Sequence, residues 1–489
     1  MSSPVEIAFA QLIKIDRRKA DAVYLQIVYQ FIQAVQRRIL EAGQQIPGSR
    51  VLSQELGIHR KTVVAALEEL QAQGWIVTKA NVGTFVCNPN VNSGKAAPGF
   101  SFPENAGFDF RKSFILDTPD QQNECPYRFT PGEPDYRMIK TDELARFYSV
   151  ALKRKNLIKK IPGFTVQGNP FFKKQLSYYI NQTKGFHIAP ENLLTAQSKE
   201  VILYILTQLL IRPQDVVLVG ELSYHFSNMV FRQAGAALKT IPMDAQGINV
   251  DFIRKHFKKG DIRAVYVHPQ HQYPTTVNLP EDRRQALAEL ANEYGFVIIE
   301  DDTDGELSYE KATAPPLVKM TTVGNVIYLG AFGQFLTPGF QVNFMTASKD
   351  LIEEAYKYLN IFGHSDIVKE QALGEMIYEG DIHRYRRKAL KIYHSRRDNF
   401  ARLLQEYLPS PTTISIPTGG LAFWLPFPQA FSLNRLAGTC QEEGLFLPRI
   451  CLYQNQKVTA LRLGFGHLNE EEMPEVVKIL AAALSQNSV

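Results

Sequence analysis

Polar groups able to hold a ligand stand directly behind three apolar runs of this 489-residue chain. Asp301 and Asp302 follow VIIE, Glu221-Leu222-Ser223-Tyr224 follow VVLVG, and His271-Gln272-Tyr273-Pro274 follow AVYVHPQ. One acidic pair behind a strand usually caps a helix or lies in a solvated loop. The same placement behind successive strands instead describes a ligand crevice at their carboxyl ends. A second group, His59, Arg60, Lys61 and Thr62, stands where a short amphipathic helix begins. Arginine and lysine bind phosphates or the acceptor edge of guanine, and threonine donates to a phosphate.

The elements that position the second group can be read from spacing. Tyr24, Ile27, Phe31, Val35 and Ile39 form one apolar stripe on a helix over 24–40. EAGQQIPG reads as a turn. A short helix from Arg50 to Leu56 follows Ser49 as its cap, and Gly57-Ile58 breaks it. A third helix, His59 to Gln73, turns Val63, Ala66, Leu67 and Leu70 inward. Gly74-Trp75-Ile76-Val77 and Thr84-Phe85-Val86 read as two strands around a turn at Ala80-Asn81-Val82-Gly83, a β-wing. Two short helices around a glycine break, followed by a wing, place a helix N-terminus for the major groove. The spacing alone also suits a small helical bundle with an ordinary charged face.

The first group belongs to a different pattern. Val216–Val219, Ala264–Val267, Val297–Glu300 and Val326–Leu329 are short continuous apolar runs, with an amphipathic helix at Glu281 to Tyr294. Such runs separated by helices predict a mostly parallel sheet covered on both faces. The expected organisation is a DNA-binding domain over 1–88, a Pro-, Gly-, Asn- and Ser-rich linker over 89–125 with a short ordered stretch near Phe110, and a large domain over 126–489.

Composition narrows the function classes. Ten of the 54 basic residues and seven of the 49 acidic ones fall in the first 90 positions, so that fifth carries more than half of the net charge of +5. Nucleic acid suits that bias. No run of about 18 uncharged apolar residues argues for a membrane span, and the N-terminus does not read as a signal peptide. Cys87, Cys125, Cys440 and Cys451 fit no zinc spacing and read as isolated reduced thiols. A cytoplasmic protein without a metal is expected.

Along about seventy residues, VYLQI, IPGSRVLSQELGIHRKTVVAALEEL, GWI and GTFV resemble the GntR family of bacterial regulators. The resemblance implies that Arg50, Arg60, Lys61 and Thr62 face DNA, with Gly83 and Thr84 in the wing. His59 stands where that family has a serine or threonine cap. HPQHQYPTT, IIEDDTDGELSY, IYLGAFGQFLTPGFQVNF, TGGLAFW and LRLGFGHL resemble, in order and spacing, the motifs of fold-type I aminotransferases. Together the chain is similar to the MocR subfamily, which implies an α/β fold: a winged helix-turn-helix and a large fold-type I aminotransferase-like domain that pairs as a homodimer.

Against that family the chemistry is incomplete. Pyridoxal phosphate chemistry needs a lysine amine for the Schiff base, an acid for the pyridine nitrogen and donors around the phosphate. The family segment T-F-S-K-x-x-x-P-G-x-R here runs from Ala331 to Gln341. Gln334 occupies the lysine position and Gln341 that of the phosphate arginine, while Ala331 and Gly333 lack hydroxyls. Thr303 replaces the tyrosine that meets the phenolic oxygen, Gln197 the glycine of the phosphate-side turn and Thr276 the last glycine of P-T-G. Asp301 matches the acid under the ring nitrogen, Tyr224 the stacking aromatic and Arg462 the arginine that grips a carboxylate. Ser198, at a helix start, could still attract an anion. Lys199 and Lys349 read as surface charges or helix-start residues rather than substitute Schiff-base lysines.

The expected function is a transcription regulator whose large domain senses a small anionic effector. Its partners are double-stranded DNA and a second copy, with no covalent cofactor and at most weak non-covalent pyridoxal phosphate through Asp301 and Tyr224. The alternatives are a working aminotransferase with a DNA-binding head and a purely architectural dimer module.

Overall fold

The computed structural model describes residues 9–16, 21–37, 39–79, 82–87, 103–118, 123–139, 141–155, 167–310, 314–321, 323–336, 338–363, 366–408, 414–427 and 432–487. The chain divides into two compact units, Met1–Arg111 and Lys112–Val489. The linker residues 88–102 and 119–122 and the wing-turn residues 80–81 lie outside the described residues.

The smaller unit contains α1 (Phe9–Leu12), α2 (Val23–Gln36), β1 (Gln45–Ile46), α3 (Ser49–Glu55), α4 (Arg60–Ala72), β2 (Ile76–Lys79) and β3 (Gly83–Val86). The stripe on α2 packs as its period requires, with Ile27, Phe31 and Val35 buried beside Val63, Ala66 and Leu70 of α4. Leu67 is partly buried against the same core. Three sequence expectations are corrected. Helix α2 ends at Gln36, so Ile39 lies outside it and is exposed, and Leu40 takes the core position. Ser49 is the first residue of α3 rather than its cap, which is Gly48. The stretch read only as a turn contributes β1, which pairs antiparallel with β3 and completes a three-stranded sheet in the order β1-β3-β2.

In the larger unit, seven strands build the main sheet: β5 (Leu193–Ala196), β6 (Val216–Gly220), β7 (Ala237–Ile241), β10 (Ala264–Val267), β11 (Val297–Asp302), β12 (Val326–Phe332) and β13 (Val342–Thr346). Two short strands, β8 (Met243–Asp244) and β9 (Gly247–Ile248), form a separate hairpin, and β4 (Tyr127–Arg128) lies earlier in the chain. The order is β5-β13-β12-β11-β10-β6-β7. All pairings are parallel except those of β13, which runs against both neighbours. Alternate residues serve opposite faces, as strand geometry demands. Val217, Val219, Ala264, Tyr266 and Ile299 pack with the helices Lys199–Leu210 and Lys349–Leu359. Leu218, Val265, Val267 and Ile298 pack with the helix Glu281–Tyr294. A smaller antiparallel sheet joins β14 (Ala422–Pro426), β17 (Thr459–Gly464) and β16 (Leu452–Gln454), while β15 (Leu445–Phe446) pairs with β4.

Two further expectations change here. Asp301 and Asp302 are the last residues of β11 itself, not of a loop behind it. The ordered stretch sought near Phe110 is a 3-10 turn at Phe114–Leu116, and the preceding Ser113 hydroxyl donates to Gln233 at 2.8 Å. That bond ties this part of the expected linker to the larger unit.

Candidate functional site

In the smaller unit the residues expected to meet DNA sit around the junction of α3 and α4. His59 caps α4, its Nδ1 accepting from the Lys61 backbone N–H at 3.3 Å, so the unusual residue performs the cap function in a weaker geometry. Arg50, Arg60 and Lys61 are exposed, and Thr62 is half-buried with its N–H on the His59 carbonyl. Arg60 Nε donates to the Ser49 hydroxyl at 3.2 Å, tying the first turn of α4 to that of α3. In the wing, Gly83 has φ +139°, and a Cβ there would stand 2.3 Å from Gln45 Nε2 on β1. That contact is with the movable end of an exposed side chain, so it is the dihedral, in a region that side chains rarely adopt, that favours glycine here. The Thr84 and Thr78 hydroxyls are 3.3 Å apart across the β2–β3 pair.

In the larger unit, period-two alternation puts Asp301, Tyr266 and His268 on the sheet face covered by the helix Lys199–Leu210. Asp301 is fully buried. Its Oδ2 accepts from the Tyr266 hydroxyl and lies 2.9 Å from Lys199 Nζ and 3.1 Å from His268 Nε2. Its Oδ1 accepts from the Thr303 backbone N–H at 3.1 Å and the Thr303 hydroxyl at 2.8 Å. Burial pushes the Asp301 carboxyl up, but Lys199 and His268 outweigh it and hold its pKa well below the ordinary value.

The Lys199 ammonium also lies 4.0 Å from the centroid of the Tyr224 ring and 3.4 Å from the Thr303 hydroxyl. Its side chain is 12% exposed, so the surface-charge reading of Lys199 is corrected. Sequence reasoning missed His268 and Tyr266 as well. Their period-two relation to the strand preceding HPQ was the available signal.

Tyr224 donates to Glu200 at 3.2 Å and meets Tyr273 edge-on. Tyr273 in turn lies under the Arg462 guanidinium, 4.5 Å from its ring centroid. Arg462 donates from Nε to the Pro131 carbonyl and from Nη1 to the Pro274 carbonyl, both at 2.7 Å. Thus Asp301, Tyr224 and Arg462 are brought together, each already engaged by the chain itself. Ser198 accepts from the Val201 N–H at 3.3 Å, the ordinary use of an N-cap hydroxyl, and Glu200 supplies a negative charge to the same first turn.

Gln334 and Gln341 stand at the loop behind β12. Gln334 Nε2 donates to Asp304 at 3.2 Å, while its buried Oε1 has no partner among the described residues. Gln341 donates to the Leu336 carbonyl at 3.2 Å. Thr276 adopts φ +63°, the conformation a glycine would take at that turn without strain. Beside this region, a cavity of about 570 Å³ is walled in part by Lys184, Gly305, Ser308 and Arg386. Lys184 is held at 2.6 Å by Asp302. Among the described residues no cluster of His, Cys, Asp or Glu could hold a metal ion, and no helix is long and apolar enough to cross a membrane.

Residues 155–480 match the family Aminotransferase class I and II, and residues 23–86 match the bacterial regulatory proteins of the gntR family. The uncharacterized HTH-type transcriptional regulator YisV of Bacillus subtilis (strain 168) is 25% identical over 90% of this chain and 91% of its own length. The probable rhizopine catabolism regulatory protein MocR of Rhizobium meliloti is 22% identical over 91% of this chain and 90% of its own. Among solved structures, the multiple substrate aminotransferase of Thermococcus profundus superposes with a TM-score of 0.67 at 24% identity, covering 76% of this chain and 93% of that one. That likeness carries the fold. The chain belongs to the aminotransferase class I and II family, with a GntR-type DNA-binding module joined ahead of the family domain as in the HTH-type regulators that it matches over nine-tenths of its length.

Proposed function

We propose that this transcription regulator binds DNA through the α3–α4 junction and wing of its smaller unit and uses its aminotransferase-like domain as a non-covalent sensor and homodimerisation module. The observation that carries the sensor half is the state of the cofactor positions. Gln334 has an amide nitrogen delocalised into its carbonyl, which is not a nucleophile and forms no imine. The acid and the aromatic face that would receive a pyridine ring are already taken by Lys199, at 2.9 Å and 4.0 Å. With Gln341 in place of a charged phosphate clamp, the residues present do not fit pyridoxal phosphate held as the family resemblance implies. Arg50, Arg60, Lys61 and Thr62, with Gly83 and Thr84 in the wing, form the DNA face. The cavity beside Ser308 has the size of a small-molecule site, and Arg386 and Lys391 on its wall, set against Glu306 and Glu310, are what supports a small effector with an anionic group. A homodimer presents two heads to a two-part operator. A regulator of this kind works in the cytoplasm.

The test uses the full chain and a fluorescent duplex carrying the upstream region of its own gene. Specific, salt-sensitive binding, together with an absorbance spectrum of pyridoxal phosphate unchanged by the protein, is the expected result. Turnover of an amino acid and a keto acid in the same preparation would overturn the non-enzymatic reading.

A further inference from the structure

We infer that Lys199 is a built-in occupant of a buried organic-cation site, standing in place of the ring that Asp301 and Tyr224 could otherwise receive. This rests on the reading above that the domain works without a covalent cofactor, and adds what fills the vacated seat.

The Asp301 carboxylate is saturated. A carboxylate offers about four lone-pair directions. Asp301 meets five donor groups: the Tyr266 hydroxyl, Lys199, His268, and the hydroxyl and backbone N–H of Thr303. An incoming cation finds no free direction on it. The aromatic half of the seat is closed in the same way, because the Lys199 ammonium covers the Tyr224 ring face and the ring edge packs on Tyr273.

The placement follows from the chain. Lys199 is the first residue of its helix, one position after the Ser198 cap, and side chains at such positions lean back past the helix N-terminus. That direction leads to the carboxyl end of β11, where the acid lies. The buried acid accounts for the need: an uncompensated carboxylate at that depth is strongly unfavourable, and an ammonium tethered by its own backbone supplies the counter-charge without a ligand. A tethered cation also has the advantage of effective concentration over any free amine.

The seat therefore accepts a primary ammonium on an unbranched alkyl chain, and it should open when the tether is cut. Lys199→Ala removes three methylenes and the ammonium, a volume that propylammonium refills. In the full-length protein, Lys199→Ala should melt at a lower temperature than the native chain. Propylammonium chloride should recover most of that loss, while potassium chloride at equal ionic strength and sodium propionate should not. Native protein should show no shift, and Lys199→Ala combined with Asp301→Asn should show no recovery. Recovery that persists without Asp301, or a Lys199→Ala chain as stable as native, overturns the inference.

Should Lys199→Ala fail to fold, acylation of native protein by limiting acetic anhydride gives an independent readout. Lys199 should react at least tenfold more slowly than the exposed Lys349, and equal rates contradict the assignment. Loss of rescue with operator binding intact would sink this inference alone and leave the regulator reading standing.

Discussion

Lys199 Nζ lies 2.9 Å from Asp301 Oδ2 in a pair whose carboxylate is fully buried and whose lysine is nearly so. Because each partner compensates a charge that could not remain alone at that depth, the pair behaves as one unit. Asp301→Asn should destabilise the larger unit by about 3–5 kcal/mol, since it strands the ammonium. Combining it with Lys199→Met should cost clearly less than the two single changes added together, with a coupling of at least about 1 kcal/mol. Denaturant unfolding of the four proteins checks this, and strict additivity would contradict it.

DNA binding should depend on Arg50 and Arg60, both exposed at the α3–α4 junction. Replacing either by alanine should weaken specific binding by about 1–3 kcal/mol where the side chain reads a base edge, or lower the salt slope by about one where it meets a phosphate. Anisotropy titrations across a salt series decide. Operator affinity and slope unchanged in both variants would remove the assignment.

The wing offers a backbone test. Gly83→Ala puts a side chain at φ +139° and into contact with Gln45. It should cost more than about 1 kcal/mol in the smaller unit. Shortening Gln45 to alanine should relieve the contact but not the backbone strain, so the double variant should recover only in part. Full recovery, read as a melting temperature, would show that the dihedral costs nothing.

Glu300 gives the pH test. Burial pushes its carboxyl up to about 7 from the ordinary 4.5, against the pull of the Leu317 and Val318 backbone N–H groups. The folded form thus holds its proton longer than the unfolded form. That stabilisation is complete below about pH 4.5 and is lost as pH rises through 7. Glu300→Gln should flatten the fall in stability over that window by on the order of 2–3 kcal/mol. Asp301 is shifted the opposite way and titrates below the window. Denaturant midpoints at about pH 5 and about pH 7.5 report the difference, and identical slopes in the two proteins would refute it.

Much of this architecture was legible because periodicity reports burial directly. The strand Ala264–Val267 and the helix Glu281–Tyr294 lie where their apolar patterns put them. Ile39 misled because the pattern carries no signal for where a helix stops, and β1 was invisible because two residues have no period. At the seat, the motif resemblance puts Gln334 at the position of a lysine. It could not show that Lys199 reaches Asp301, since 102 positions of chain separate residues joined only by the pairing of a helix and a strand. The role of Thr303 was hidden for the same reason. A hydroxyl two residues beyond an acid reads as a lost tyrosine until the turn places it at 2.8 Å from that acid.

The central claim, that the aminotransferase-like domain works without covalent cofactor chemistry, meets its most direct test in reductive trapping. Native full-length protein is incubated with pyridoxal phosphate, reduced with borohydride, and weighed intact before peptide mapping. The expected result is the mass of the unmodified chain, with no lysine labelled in stoichiometric amount. A stoichiometric reduced adduct on any single lysine would contradict it and restore the enzyme reading.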